Sequence, residues 1–304
     1  MPSLDIHLEE ALSDYNRKVS ELEGTGPLSE LLFAYINRGS VLMLMESYVS
    51  AITDMDAAVE IIVDMEAAGS KVEPGLYVKA FENRGQLLFS SDPEGMADDY
   101  RMIVSRLDEL DGTTRYYNPD DVATMCLNCA EDLIDTGFED EALPFLDKAV
   151  SVLGGDEDPW CLNRLTEAHN LKAKVLEETG DKESAEQYYG AAIDLGSRLY
   201  GAGDLEDIME LAMSYVCRGD LREEAERIDE FVSDHVAAAD ILDMLFDRNE
   251  LDDVELLVSI HQGIASALMK EGRMKEAEKH LLAAMRMGVD GIEDSLINLG
   301  IDPQ

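Results

Sequence analysis

Positive charge is scarce in this sequence: 24 lysines and arginines stand against 66 aspartates and glutamates, a formal net charge of −42 across 304 residues. No basic stripe is available to neutralise phosphates, which argues against nucleic acid and against an anionic membrane as partners. Cysteine is also rare. Four cysteines in a chain of this length are too few for a disulfide framework, so reduced thiols are expected. Nowhere does an apolar run reach the ~18 residues that a membrane span needs. Met1 to Leu22 is interrupted by Asp5, Glu9, Glu10 and Asp14 and carries no apolar core of a signal peptide. A cytoplasmic location is the expectation. Strand-like alternation of useful length is missing too, and with it the strand-then-glycine context of a phosphate-binding loop.

Hydrophobic residues make up 46% of the chain, too many for disorder, and they recur at helical spacing, so the acidic residues should cover the outside of a folded core. Short clusters break the pattern at Gly24 to Pro27, Gly69 to Gly75, Asp111 to Pro119, Gly154 to Pro159 and Gly201 to Asp204. Proline usage agrees with helices starting after these breaks. Pro93, Pro119 and Pro159 each follow Asp or Asn, the pairing of an N-cap with a proline at the first helical position, and Pro27 and Pro74 also stand at expected helix starts. Pro144 departs from the pattern. It lies about a turn inside an expected helix, where it should bend or fray the chain.

The helices come in repeats. Tyr35-Ile36-Asn37-Arg38-Gly39 is echoed by Phe81-Glu82-Asn83-Arg84-Gly85, 46 residues on, and by Cys126-Leu127-Asn128-Cys129-Ala130 after a further 45. A turn and a second helix follow each copy, with small residues at matched places such as Ala51 and Ala58, or Ala142 and Ala149.

These units resemble tetratricopeptide repeats, whose first helix (A) carries a small residue at position 8 and whose second helix (B) carries alanines at positions 20 and 27. Ala265, Leu268, Gly272, Ala277, Leu281 and Ala284 match best, and Ala173, Leu176, Gly180, Ala185, Tyr189 and Ala192 nearly as well. Gly39 with Ala51 and Ala58, and Ala130 with Ala142 and Ala149, are good units; those at Gly85 and Ala212 are weaker. Taken as position 8, Gly39, Gly85, Ala130, Ala173, Ala212 and Ala265 are 46, 45, 43, 39 and 53 apart. The standard repeat is ~34, so the units are similar to long-helix varieties such as those of kinesin light chain. The resemblance implies an all-α, right-handed α-solenoid of about six helix pairs in one domain over 1–304. It has an N-terminal cap in 1–26, helix pairs over 27–288 and a C-terminal cap in 289–304. Leu4 to Leu22 and Ile292 to Leu299 are the expected capping helices; His235 to Asp253 fits either one long second helix or an extra one.

Chemistry is hard to find. Cys126 and Cys129 form one Cys-x-x-Cys, but a structural zinc site needs four ligands, and Cys161 and Cys217 stand alone in other units, so buried structural thiols are expected. The five histidines are scattered; His261 and His280 fall at packing positions. Acid pairs such as Asp98-Asp99, Asp120-Asp121 and Asp252-Asp253 read as solvated surface, because adjacent helical residues do not face each other and no calcium loop is present. No enzyme activity, cofactor or metal is expected.

One pattern rises above this background: asparagine at position 6 of three successive first helices, Asn37, Asn83 and Asn128. The resemblance places this position on the concave groove, where an amide can pair with the backbone of an extended peptide. Other groove positions are Phe33, Ile36 and Met43 in the first unit, Lys79, Glu82 and Gln86 in the second and Glu131 in the third, apolar at one end and mixed to acidic further along. The expected function is a non-catalytic scaffold or adaptor holding a protein or peptide with apolar and basic residues. The alternative is a signal-responsive regulator that changes superhelix conformation on binding a small peptide.

Overall fold

The computed structural model describes residues 4–110, 114 and 116–287. The expected cap at Ile292 to Leu299 lies outside the described residues. Among the described residues there are thirteen α-helices, one short 3-10 turn at Leu107–Glu109, and no strand. None of the helices is long and apolar enough to cross a membrane. The chain divides into two compact units, Met1–Gly155 and Asp156–Gln304.

The first unit holds α1 (Leu4–Leu22) and three antiparallel pairs: α2 (Leu28–Leu44) with α3 (Tyr48–Ala67), α4 (Pro74–Leu88) with α5 (Pro93–Val104), and α6 (Pro119–Asp135) with α7 (Glu139–Leu153). The second holds α8 (Pro159–Glu178) with α9 (Lys182–Ala202), α10 (Ile208–Glu224) with α11 (Ile228–Asp247), and α12 (Val254–Lys270) with α13 (Met274–Arg286). The starts follow from capping. Asp92, Asn118 and Asp158 accept backbone N–H groups ahead of Pro93, Pro119 and Pro159, and Glu73 accepts from Gly75 and Leu76 ahead of Pro74. Helix α7 continues through Pro144 without a break.

Small residues set the packing distance within a pair. Ala51, Ala58, Ala142, Ala149, Ala185, Ala192, Ala277 and Ala284 are all fully buried. In the fifth pair the structure corrects the register: the small residue facing helix B is Gly219, not Ala212. A methyl group on Gly219 would meet the His235 ring 2.4 Å away, as one on Gly39 would meet Met55 and one on Gly85 would meet Tyr100. The turn seven residues later agrees, since Glu46, Gly137, Gly180, Glu226 and Gly272 all have positive φ. With Gly219 the spacings become 46, 45, 43, 46 and 46. Helix α11 therefore spans Ile228–Asp247 without an extra helix after it.

A second repeated device accompanies the glycines. Arg38, Arg84 and Arg218, each just before its glycine, grip Asp54, Asp99 and Asp234 of their own helix B in a fork, at 2.6 and 2.8 Å, 2.5 and 2.8 Å, and 2.7 and 3.0 Å. The aspartates are buried, which corrects the expectation that both members of Asp98-Asp99 are solvated surface: Asp98 is exposed, but Asp99 turns inward to Arg84. Arg84 also reaches back 3.3 Å to Asp56 on α3, and Arg38 reaches back 3.2 Å to Asn16 on α1. Helix α1 thus stands to the first pair as α3 stands to the second, the position of a capping helix B.

Candidate functional site

The first helices α2, α4 and α6 lie side by side in the first unit, and most of the residues expected to line a groove sit on them. They are not equivalent. Asn37 donates its amide to the Phe33 carbonyl at 2.7 Å and to the Tyr116 hydroxyl at 2.9 Å. Asn83 is 3% exposed and donates to the Ser40 hydroxyl at 2.8 Å, tying α4 to α2. Asn128, on α6, is exposed.

The difference comes from Tyr116 and Tyr117, just before α6, which reach Asn37 on α2 and Glu82 on α4. The Tyr116 ring lies 6.0 Å from that of Phe33. Tyr117 is buried, and its hydroxyl donates to Glu82, which also accepts from Lys79 at 3.0 Å. Burial, reinforced by the Glu82 charge, holds the Tyr117 hydroxyl well above its ordinary pKa. Phe33, Asn37, Lys79 and Glu82 are therefore brought together, beneath a segment of this same chain. Ile36 is buried in the core, Met43 and Gln86 flank a separate cavity near the ends of their helices, and Glu131 is exposed on α6.

The open part of this face is a cleft of about 540 Å³ where α1, α2 and the start of α4 meet. Leu22, Phe33, Ala34 and Leu76 give it an apolar floor, and the exposed Glu21 and Glu30 stand at its rim with Lys18. Such a site suits an apolar side chain next to a cation, because desolvation favours the first and the carboxylates attract the second. Sequence reasoning found Phe33 but missed Glu21, Glu30 and Leu76. Their role depends on how α1 packs, which a single helical period does not specify.

Among the described residues no group of three or more His, Cys, Asp or Glu is placed to hold a metal. Cys126 and Cys129 are buried, and burial pushes both thiols up, away from the reactive thiolate.

In the second unit, asparagines again stitch helices together. Asn163 donates to the Asp204 carbonyl and accepts from the Glu206 N–H, both at 2.9 Å; Asn170 donates to Glu210 and accepts from Ser214. His169 stacks beside Tyr188, and burial lowers its pKa to about 4, helped by nearby Lys172. His261 is buried with its Nδ1 3.0 Å from that of His280, so one ring donates and the other accepts. Burial holds both below the usual histidine range.

Residues 166–195 match the tetratricopeptide repeat family. Among solved structures the chain is similar to BtubC (BKLC) from P. vanneervenii, with 18% identity, 98% of this chain and 94% of that one covered, and a TM-score of 0.53. It is also similar to the apo form of RapI, with 13% identity, coverages of 95% and 79% and a TM-score of 0.55. The C-terminal part of a TPR repeat-containing protein from Cytophaga hutchinsonii gives 13% identity, coverages of 91% and 90% and a TM-score of 0.50. No curated protein matches the sequence. At these identities the likeness is one of fold, and the fold is an all-α solenoid of tetratricopeptide-type helix pairs.

Proposed function

We propose that the chain is a non-catalytic scaffold or adaptor that captures a segment of a partner protein, seated in the cleft between α1, α2 and α4. The observation that carries this reading is the cleft itself, with its apolar floor of Leu22, Phe33 and Leu76 and exposed carboxylates Glu21 and Glu30 at the rim. The tetratricopeptide match supports it, since repeat solenoids present extended surfaces to other chains. The partner segment carries an apolar anchor with lysine or arginine beside it. Asn128 and Glu131 extend the contact along the stack. Asn37 exchanges its bond to Tyr116 for one to the incoming backbone, and Asn83 keeps α4 in register with α2.

The test is a selection of displayed peptides on the purified protein. Enriched sequences should pair one large apolar residue with nearby Lys or Arg. Phe33→Ala and the double change Glu21→Lys/Glu30→Lys should each weaken their binding tenfold or more, with melting temperature unchanged. Peptides that bind both variants as well as wild type would overturn the assignment of the cleft. Small-angle scattering of free and peptide-bound protein then separates an adaptor, whose profile stays the same, from a regulator, whose profile shifts.

A further inference from the structure

Three large apolar side chains are exposed around the turn from α2 to α3: Leu44 at 70%, Tyr48 at 57% and Val49 at 83%. Scattered apolar residues on a surface need no explanation, but the repeats supply a control within the same chain. At the place of Leu44 the other five pairs carry Ser90, Asp135, Glu178, Glu224 and Lys270. At the place of Val49, counted back from helix B, they carry Glu94, Asp140, Glu183, Asp229 and Lys275. At both of these places the first unit alone is apolar, whereas at the place of Tyr48 the last two units also carry apolar residues, Ile228 and Met274.

The shape fits a ligand. Val49 forms a ridge between two cavities. One, of about 470 Å³, also draws on Met43 and Ile52 and on Leu87 and Leu88 from the end of α4. The other, of about 380 Å³, lies between α1, α2 and α3 and is mixed, with Leu12 and Leu42 beside Asn16, Thr53 and the paired Arg38 and Asp54. Each falls within the range of ~300–1,000 Å³ usual for ligand pockets.

Charge decides the occupant. Residues 39–70 and 85–100, which form most of this edge, contain no lysine or arginine, and Glu46, Asp92 and Glu94 are exposed beside it. A second copy would bring another net charge of −42 against this one. We propose that the turn between α2 and α3 is a docking surface, separate from the α1–α2–α4 cleft, for a partner protein segment with apolar side chains flanked by lysine or arginine. The apolar ridge and the hollow toward α4 supply burial, and the exposed carboxylates of Glu46, Asp92 and Glu94 attract and orient the basic flanks.

The probe is a labelled amphipathic helix built only of leucine and lysine, with a counterpart in which glutamate replaces lysine. The first should bind the full-length protein and the second should not. Leu44→Glu/Val49→Glu installs residue types that the other units carry at these places, so melting temperature should stay the same. It also makes the surface more acidic. A purely ionic attraction would therefore strengthen, whereas apolar docking predicts a loss of tenfold or more. Phe33→Asp, in the cleft, should leave this binding intact. Unchanged or tighter binding in Leu44→Glu/Val49→Glu, or a loss confined to Phe33→Asp, overturns the proposal. So does sedimentation showing that wild type self-associates through this edge while the double variant is monomeric, because the occupant is then a second copy.

Discussion

Changing Gly85 to alanine sets two effects of opposite sign against each other. Glycine inside a helix is unfavourable by ~1 kcal/mol relative to alanine, so propensity alone makes the change stabilising. The new Cβ, however, would stand 2.3 Å from Cε1 of Tyr100 and 3.0 Å from Cδ1 and Cζ. That ring cannot yield freely: it is 1% exposed, sits edge-on to Phe145 at 6.0 Å, and its hydroxyl donates to Asp132 at 2.6 Å. Overpacking a core costs ~1–3 kcal/mol, and a disturbed hydrogen bond to a carboxylate adds ~1.5–3 kcal/mol. After the propensity gain, a net loss of roughly 1.5–5 kcal/mol is expected. At Gly39 the obstacle is the terminal methyl of Met55 at 2.2 Å, the far end of a flexible side chain. Gly39→Ala should therefore stay within about 1 kcal/mol of wild type. Urea unfolding followed by far-UV circular dichroism ranks the variants, and a double-mutant cycle isolates the contact: with Tyr100→Ala, Gly85→Ala should become stabilising. If Gly85→Ala stabilises the otherwise wild-type protein, or loses no more than Gly39→Ala, the close approach of α4 and α5 has been misjudged.

The asparagines of the first unit should part company: Asn83→Ala should destabilise by ~1 kcal/mol because it breaks a buried hydrogen bond, whereas Asn128→Ala, at an exposed site, should leave the urea midpoint unchanged. His169 supplies a pH test. Its folded pKa of about 4 lies below the ordinary 6.5, so between these values the unfolded chain holds the extra proton and stability falls as pH falls. His169→Phe keeps a ring beside Tyr188 and removes the proton site, so its stability relative to wild type should grow from pH 7 to pH 4.5 by thermal melts; a constant difference would refute the desolvation argument. Self-repulsion at a net charge of −42 should make melting temperature rise with added salt. The rise is expected from ~10 mM to ~150 mM, as the screening length drops from ~30 to ~8 Å, and a flat response would mean the acidic surface does not limit stability.

Helix count and pairing were legible because they rest on local signals. Asp92-Pro93, Asn118-Pro119 and Asp158-Pro159 mark helix starts by capping chemistry alone, and Ala51, Ala142, Ala185 and Ala277 mark close contacts by size alone. The site was less legible, since it depends on where irregular backbone goes. Nothing in the pattern around Asn37 says that Tyr116, 79 residues later, takes its amide. Nor does helical period reveal that α1 packs as a helix B and so brings Glu21 to the cleft holding Phe33.

The fifth unit shows what kind of signal would have resolved such an ambiguity. Ala212 and Gly219 lie seven residues apart, two helical turns with a drift of only ~20°, so both fall on the packed face and both are buried. Size and periodicity cannot choose between them. The choice lies in a pairing across the turn: Arg-Gly at 38 and 39, 84 and 85, and 218 and 219, each answered 15 or 16 residues after the arginine by an aspartate and then a bulky side chain, Met55, Tyr100 or His235. The arginine needs the aspartate because a half-buried guanidinium must be paired, and the glycine leaves the space that the bulky neighbour fills, a rigid ring in Tyr100 and His235 and a yielding methyl in Met55. Two requirements from different physics, one electrostatic and one steric, fix a register that either alone leaves open. In the units built on Ala130, Ala173 and Ala265 the arginine is absent, a methyl fits, and alanine periodicity was enough.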